Sequence, residues 1–491
     1  MTTEATRLRS NALGLMGIAT LGAIVMAPAL SIYFNYSPIA KSAGKTVPLV
    51  YVIALVAALP TALSYAFVSR ELPSAGSAYT WLWAATSKSV GVWLGLVLAF
   101  YYLIAVIIQP LMFGLFFNDA LQLLGWHGPG YGTWLTGVMV ATLITGLITY
   151  GGIKASARTS VALLVIETAV VAALAVCTLY FYKGQRHALD WTAFDPRCSL
   201  NGHRGIFESL IIGTLTFIGY DVICTVAEEA KAPRKLIPIA TLLALLGPGL
   251  FAILASWALV SAVPYADILP ALASQQTPIT PIAEGTWGPA GSVVVIITGL
   301  TSSLGVYIAA TVGCSRILYA MGRDRTLPAW LGRLHPRFQV PWNAQHIIYV
   351  VTLAAAAFFG QWVGPLDAYI WWGSAIVLLG LTTYLMVNAA NFLFFARFRR
   401  DRFNWFANAF IPLVGLVLNA AILYQSFFVA LIHEPWKMGK SIIVTGVGFM
   451  LLAATYTVWM AHGQPDLAGG PFAAGPAGST QASEAPEKDK P

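Results

Sequence analysis

The sequence of 491 residues is poor in charged residues. Only 10% of its residues are Asp, Glu, Lys or Arg, whereas a soluble domain has about a quarter, because its surface faces water. The low charge content therefore excludes an ordinary soluble protein. The formal charge of +8 is then better explained by basic membrane loops than by a surface that binds nucleic acid.

Cysteines and catalytic motifs are equally sparse. Cys177, Cys224 and Cys314 lie in apolar runs and Cys198 lies in a polar loop, which excludes a disulfide framework and a zinc-type ligand spacing. The chain has no HExxH, P-loop or GxSxG motif, and each of these motifs marks a known catalytic or nucleotide-binding geometry. We therefore expect no metal site, no cofactor and no enzymatic activity.

Apolar residues, by contrast, make up 58% of the chain and form runs long enough to cross a bilayer as helices. The sequence predicts an all-α polytopic membrane protein of about twelve transmembrane helices. The predicted spans are 12–34, 47–69, 91–117, 133–150, 159–182, 206–227, 237–262, 290–320, 344–362, 367–396, 407–432 and 440–461. The first run is longer than a signal-peptide core and further spans follow it, so we interpret it as a retained helix.

The distribution of basic residues predicts the orientation of these spans. Eight of the 28 Lys and Arg residues lie on one set of loops, and the other 20 lie on the opposite set or in the termini. The eight are Lys41, Lys45, Lys183, Arg186, Arg197, Arg204, Lys437 and Lys440. Because cytoplasmic loops carry the basic excess, we expect both termini to be cytoplasmic, with residues 1–11 as an N-terminal tail and 463–491 as a disordered tail.

Spans one and six are predicted to be interrupted. Span one contains Met26-Ala27-Pro28, and Pro28 has no backbone N–H to donate to a helix. Span six contains Gly219 close to Phe217, and Asp221 follows at membrane depth. Glycine and proline are common in transmembrane helices, but broken helices at corresponding places in two halves are typical of a transporter site at the membrane centre. We therefore predict a binding site between the two breaks.

Two carboxylates lie where the membrane makes charge costly, so each is a candidate functional residue. Asp221 could bind a substrate ammonium or accept a transported proton, or it could satisfy backbone groups freed by the break. Glu167 lies in the middle of an apolar run and must face the bundle interior. It could be protonated during transport or could form a static hydrogen bond.

Aromatic residues at the predicted depth of the site are candidate pocket walls, because their faces attract an ammonium group. These are Tyr101, Tyr102, Phe217, Tyr220, Tyr307 and Trp371. Helix packing is the alternative role for each of them. Glu228 and Glu229, which lie near Lys231, Arg234 and Lys235, are better suited to a gate or a helix-end salt bridge than to substrate contact.

Three segments resemble signatures of the amino acid–polyamine–organocation superfamily. They are residues 217–221 (FIGYD) with 227–235 (AEEAKAPRK), residues 71–79 (ELPSAGSAY), and residues 315–324 (SRILYAMGRD) with the later Leu-Pro and His-Pro pairs at 327–328 and 335–336. The resemblance covers nearly all of the chain except its tail. The third segment and the proline in span one are most similar to bacterial putrescine importers.

The resemblance implies a LeuT-type fold with two inverted five-helix repeats, in which helices one and six are broken around the substrate. Repeat one would cover about 12–182, repeat two about 206–396 and two further helices about 407–461, all within a transporter domain of 12–462. Members that transport amino acids hold the substrate carboxylate on a Gly-x-Gly stretch, where this chain has Met26, Ala27 and Pro28. This departure favours an amine without a carboxylate.

The resulting hypothesis is a plasma-membrane importer of a small organic amine, a polyamine or an amino acid, working by alternating access and coupled to protons. We expect Met26, Ala27, Pro28, Tyr102, Phe217, Gly219, Asp221 and Tyr307 to contact the substrate. Glu167 and Asp221 are the candidate coupling residues, with Glu167 at a place where some proton-coupled members have a lysine. The alternatives are a permease or exchanger for neutral or cationic amino acids, and a polytopic membrane enzyme or sensor.

Overall fold

The computed structural model describes residues 8–463 apart from positions 127, 129, 265, 266, 268–276, 278, 434, 435, 437 and 438. The described residues form the following α-helices: α1 (Leu15–Val25), α2 (Pro28–Leu30), α3 (Tyr36–Ala43), α4 (Val47–Glu71), α5 (Ala78–Ala85), α6 (Lys88–Leu123), α7 (Gly130–Tyr150), α8 (Ile153–Phe181), α9 (Gly202–Leu215), α10 (Val222–Thr225), α11 (Pro233–Ala262), α12 (Thr280–Trp287), α13 (Ala290–Arg323), α14 (Trp342–Trp362), α15 (Pro365–Phe398), α16 (Ile411–Leu423) and α17 (Lys440–Gly463). A π-helical turn, Ser31–Asn35, joins α2 to α3. The predicted disordered tail lies, from residue 464 onward, outside the described residues.

Ten helical segments of the described chain are long and apolar enough to cross a membrane. The first, Leu15–Glu71, is 57 residues long and includes the second predicted span and all of the first except residues 12–14. Predicted span six is missing from the ten because it is divided between α9 and α10. All twelve predicted regions therefore coincide with helices, and the prediction of an all-α polytopic membrane protein is confirmed.

The outer surface of the bundle is apolar, as a lipid environment requires. Large apolar side chains such as Leu413, Val417, Leu451 and Trp459 are exposed on the last two long helices. A soluble protein rarely exposes contiguous apolar patches, whereas hydrocarbon solvates such a surface well. The Asn419 side chain of α16 is instead buried and paired in the interior, because no water is present in the bilayer core to bind it.

A buried polar ladder fixes helix α15 against α4 and α16. The Asn388 side-chain amide donates to Thr61 Oγ1 at 2.9 Å and its carbonyl oxygen accepts from Ser64 Oγ at 2.8 Å. Asn419 on α16 donates to the same Thr61 oxygen at 2.9 Å. Such interhelical hydrogen bonds stabilise membrane bundles by about 0.6 kcal/mol each. The ladder lies one turn from Tyr384, so it orients the helix that carries this side chain.

A buried ion pair connects α13 to the segment after α10. Arg316 Nε lies 2.5 Å from Glu229 Oε2 and a terminal guanidinium nitrogen lies 3.0 Å from Oε1, and both side chains are only 1% exposed. The same face carries an ion pair of Arg323 with Glu228 at 3.0 Å, which is more exposed. The predicted salt-bridge role of the two glutamates is consistent with this arrangement, but these partners come from α13 and not from the lysines and arginine next to them in the sequence.

The N-terminal segment is held at the same face through backbone hydrogen bonds. The N–H groups of Ala12 and Leu13 donate to the carbonyl of Glu229, and the Lys231 N–H donates to the carbonyl of Leu13. Leu13 and Ala230 thereby form an isolated parallel β-bridge. The start of α1 and the segment after α10 are therefore tied together by backbone hydrogen bonds.

Candidate binding site

The first break separates α1 from α2 at Met26 and Ala27. Ala27 has φ 47° and ψ 67°, a left-handed conformation that is unusual for a residue with a side chain. The Met26 and Ala27 N–H groups donate back to carbonyls of α1, and Pro28 has no N–H. The Met26 carbonyl accepts from Ser31 Oγ at 2.9 Å. The predicted interruption of span one is therefore present, and its polar groups are paired within the protein.

Glu167 on α8 is directed at this break. One of its carboxylate oxygens, Oε2, accepts from the Ala29 N–H at 3.4 Å and from Ser302 Oγ on α13. The side chain is fully buried, and its other oxygen has no hydrogen-bond partner among the described residues. Of the two roles considered for Glu167, the static hydrogen bond is thus present, and it connects the break to two long helices.

The second break replaces helix with a series of turns between α9 and α10, from Thr216 to Asp221. Gly219 has φ +111° at its centre, and a Cβ atom there would lie 2.1 Å from Val25 Cγ1 at the end of α1. Real Cβ atoms essentially never approach so closely. The two breaks therefore touch each other at Gly219, and only glycine fits both the conformation and the space.

Replacing Gly219 with alanine should separate the two breaks. The new methyl group would meet Val25 and the backbone would be strained at positive φ, so we expect a loss of about 1–3 kcal/mol of stability. The apparent melting temperature of the purified protein measures this loss. Gly247 on α11 is the matched control, since a Cβ atom there meets nothing within 4 Å. If G219A and G247A were equally stable, the close contact of the breaks would be disproved.

Asp221 follows the second break, and its carboxylate accepts hydrogen bonds from three tyrosines. Tyr101 and Tyr384 donate to Oδ1 at 2.9 and 3.1 Å, and Tyr102 donates to Oδ2 at 2.6 Å. The carboxylate is fully buried. Hydrogen bonds to an ionised group are about twice as strong as neutral ones, so the three phenols favour a negative charge at a depth where water cannot solvate it.

Further aromatic rings surround this carboxylate, and we call Tyr65, Tyr101, Tyr102, Tyr220 and Tyr384 the tyrosine cluster. The Tyr101 and Tyr102 ring centroids lie 4.8 Å apart, and Tyr220 lies 5.5 Å from Tyr384 and 6.0 Å from Tyr65. The Tyr65 hydroxyl has no hydrogen-bond partner among the described residues. The site thus combines one carboxylate, several ring faces and a phenol that is available to a further polar group.

The other candidates from the sequence are distributed around and away from this cluster. Phe217 lies within the second break, with its ring 6.4 Å from that of Tyr51. Tyr307 lies apart, because its hydroxyl is 3.0 Å from Thr142 on α7 and its ring packs against Tyr349. The role of Tyr307 as a pocket wall stays a prediction.

Tyr65 and Tyr384 belong to the tyrosine cluster of the candidate site but were not among the residues predicted from the sequence. They come from α4, which also carries Tyr51 and Phe67, and from α15, which carries several other aromatic residues, and nothing in their local sequence marks them. Among the candidates named from the sequence, Trp371 on α15 is directed elsewhere, since its indole N–H donates to Ser441 Oγ on α17. In the part of the chain that the structure describes, no group of three His, Cys, Asp or Glu side chains is placed to hold a metal ion.

Comparison with known proteins places this architecture among permeases. The family model described as amino acid permease matches residues 15–455. The low-affinity putrescine importer PlaP of Escherichia coli is 27% identical over 351 residues, which cover 70% of this chain and 74% of the importer. The branched-chain amino acid permease BcaP of Bacillus subtilis is 26% identical over 317 residues, which cover 62% of this chain and 66% of that permease.

A solved structure shares the fold across nearly the whole chain. The manganese transporter of Eremococcus coleocola superimposes with a TM-score of 0.54, covering 95% of this chain and 99% of the transporter, at 13% sequence identity. At this identity the similarity concerns the fold alone. It agrees with a LeuT-type arrangement in which the first and sixth spans are broken.

Proposed function

This chain belongs to the amino acid permease family, and we propose that it imports a small organic amine, a polyamine or an amino acid across the plasma membrane. Of these, an amine without a carboxylate is the best supported. Transport would proceed by alternating access, with the substrate between the two breaks. Asp221 would bind one ammonium group, and the tyrosine cluster together with Phe217 would provide the walls.

The choice of an amine rests on one observation: the backbone N–H groups at the first break are already hydrogen-bonded within the protein. A substrate carboxylate needs free N–H groups at such a helix start. Here the N–H groups of Met26 and Ala27 bond to α1, Pro28 has none, and the Ala29 N–H is bonded to Glu167. The protein's own carboxylate thus occupies the donor that a substrate carboxylate would require.

The charges of the site support the same choice. Asp221 and Glu167 are both fully buried, and neither forms an ion pair with any residue of the described chain. Buried carboxylates without a cation are costly unless they are neutralised. A substrate with one or two ammonium groups would supply the missing positive charge, and the tyrosine rings would add cation–π attraction.

A permease for neutral or cationic amino acids is the second candidate, and the similarity to BcaP supports it. In that case the substrate carboxylate would have to displace Glu167 from the Ala29 N–H. Protonation of Glu167 would make this exchange possible. The two candidates therefore differ in whether the substrate must contain a carboxylate.

Thermal-shift competition with two matched ligands separates the candidates. Putrescine and 4-aminobutyrate have similar lengths, but the second has a carboxylate in place of one aminomethyl group. We expect putrescine to raise the melting temperature of the purified protein and 4-aminobutyrate and leucine to have no effect. Stabilisation only by compounds with both an amine and a carboxylate would reject the amine proposal and favour the second candidate.

Uptake of labelled putrescine into proteoliposomes at two pH values tests transport and coupling together. We propose that Glu167 is protonated and deprotonated during the cycle, with Asp221 as the second candidate coupling residue. The Glu167→Gln variant should then bind putrescine but lose the dependence of uptake on an imposed pH gradient. A variant with the wild-type response to the gradient would exclude Glu167 as the coupling residue, and the absence of any net flux would reject the transporter proposal.

The proposed orientation places both termini in the cytoplasm. The face that contains the Arg316–Glu229 and Arg323–Glu228 pairs would then be cytoplasmic, in agreement with the basic excess of its loops. In the described structure, the buried pair at this face connects α13 to the segment after α10, and the N-terminal segment is bonded to the same segment. We propose that these contacts open when the substrate is released into the cell.

A further inference from the structure

A row of buried hydroxyl groups lies between α7, α13 and α14, apart from the tyrosine cluster. On α7, Thr142, Thr145 and Thr149 follow one another at three- and four-residue spacing and so share one helix face. Thr142 lies 3.0 Å from the Tyr307 hydroxyl of α13, and Thr149 lies 2.6 Å from the Tyr349 hydroxyl of α14. These two contacts show that the three helices meet along this face.

The same seam contains polar side chains that the protein leaves partly unpaired. Gln345 and Thr352 flank Tyr349 on one face of α14 at four and three residues' distance. In the described part of the chain, Thr145 Oγ1, Thr352 Oγ1 and Gln345 Oε1 have no hydrogen-bond partner, and all three residues are at most 1% exposed. Two of the three helices, α7 and α14, thus contribute unpaired oxygen atoms to this seam inside a membrane bundle.

Unpaired polar oxygens of this kind are unfavourable in a dry interior. A buried hydroxyl or amide without a partner costs about 1–3 kcal/mol, and hydrocarbon offers no alternative partner. Buried polar groups are therefore satisfied by ordered water wherever several of them converge, because one water molecule makes about three hydrogen bonds. The seam offers this combination of donors and acceptors.

The chemistry of the seam selects water over other ligands. Its oxygens are uncharged hydroxyls and one amide, and no carboxylate of the described chain is bonded to them, so a metal ion would have nothing to neutralise its charge. A transported amine would lack a counter-ion for the same reason. At one end of the seam, the Tyr150 ring packs between Tyr349 and the exposed His346.

We infer that the seam between α7, α13 and α14 binds a short file of ordered water molecules that opens at the face carrying His346. The water molecules bridge Thr145, Thr352 and Gln345 to the Thr149–Tyr349 pair. This hydrated file is separate from the proposed substrate path at the two breaks. It leaves the middle of α7 and α14 solvated from within, although both helices lie in a membrane.

Radiolytic labelling in heavy-oxygen water tests the inference on the wild-type protein. X-rays convert bound water to hydroxyl radicals, which label side chains beside that water even when they are buried. We expect Tyr349 to be labelled several times faster than Tyr369, a matched control that is 7% exposed against 8% and whose hydroxyl is likewise bonded to one side chain, Asn35. Equal, slow labelling of both tyrosines would overturn the inference.

Removing the hydroxyls gives a second test, because the melting temperature should fall if the seam binds water but should not fall if the seam is dry. If water is bound, the double variant Thr145→Val and Thr352→Val loses hydrogen bonds and its melting temperature falls by about 1–2 °C. If the seam is dry, the same change removes unpaired polar groups, and the melting temperature stays constant or rises, which contradicts the inference. The Thr145→Ser variant keeps the hydroxyl and should retain the fast labelling of Tyr349.

Discussion

Replacing Asp221 with Asn is expected to reduce uptake of the transported amine by about 100-fold or more. The change removes the negative charge that the tyrosine cluster surrounds, and the new amide nitrogen cannot accept a hydrogen bond from Tyr102. Losing a charge-assisted contact of about 3 kcal/mol corresponds to roughly a factor of 100 in affinity or rate. Initial rates of labelled-putrescine uptake in proteoliposomes measure the effect.

The Asp221→Asn variant should lose transport without losing stability. Because a buried charge without a cation is costly, Asp221→Asn should leave the melting temperature unchanged or raise it while transport is lost. Tyr102→Phe, which removes one donor and keeps the charge, should lower uptake by about tenfold. The control is Glu208→Gln on α9, a carboxylate whose ion pair in the described part of the chain is with the exposed Arg204. Normal transport by the Asp221→Asn variant would refute the assigned role of Asp221.

The second large effect is expected from Arg316. Arg316→Gln would leave the Glu229 carboxylate buried without its guanidinium partner, and removal of one member of a buried pair costs about 3–5 kcal/mol. We expect a large fall in the melting temperature and in the yield of folded protein. Size-exclusion chromatography and thermal unfolding in detergent measure both quantities.

Two further variants distinguish charge loss from a general packing defect. Arg323→Gln breaks the partly exposed pair with Glu228 and should cost about 1 kcal/mol or less. The double variant Arg316→Met with Glu229→Gln removes both buried charges, so it should recover much of the stability lost by Arg316→Gln. If the double variant were less stable than the single one, the unpaired carboxylate would not be the cause of the loss.

The helices themselves follow from the local sequence. Apolar runs of about twenty residues predicted every span, because the length of a span depends only on neighbouring residues and on the thickness of the bilayer. The two breaks were predictable for the same reason. Pro28 cannot donate a backbone hydrogen bond, and Gly219 permits a positive φ that other residues avoid.

The site is only partly determined in this way. Asp221 and Glu167 stand out in the sequence, since a carboxylate in an apolar run is rare and costly. Tyr101 and Tyr102 were among the aromatic candidates, but nothing in the local sequence distinguishes Tyr384 and Tyr65 from Tyr369 and Tyr51 on the same helices. Whether such a ring faces the carboxylate depends on how α4 and α15 pack against α6.

The partners in ion pairs are likewise not determined by the local sequence. The local sequence suggested partners for Glu229 within a few residues, but the structure pairs it with Arg316, which lies 87 positions away. Tyr307 had the predicted depth, yet its hydroxyl contacts α7 rather than the tyrosine cluster. Depth along a helix follows from the sequence, whereas the direction of a side chain around the helix follows from its neighbours.

By itself, the sequence therefore determined the number of spans, the positions of the breaks and the two buried carboxylates, because each depends on residues close together in the chain. Only the tertiary structure decided that the breaks touch at Gly219 and that three phenols surround Asp221. It also decided that Glu167 occupies the Ala29 N–H. These contacts join residues more than 100 positions apart, and helix packing alone brings them together.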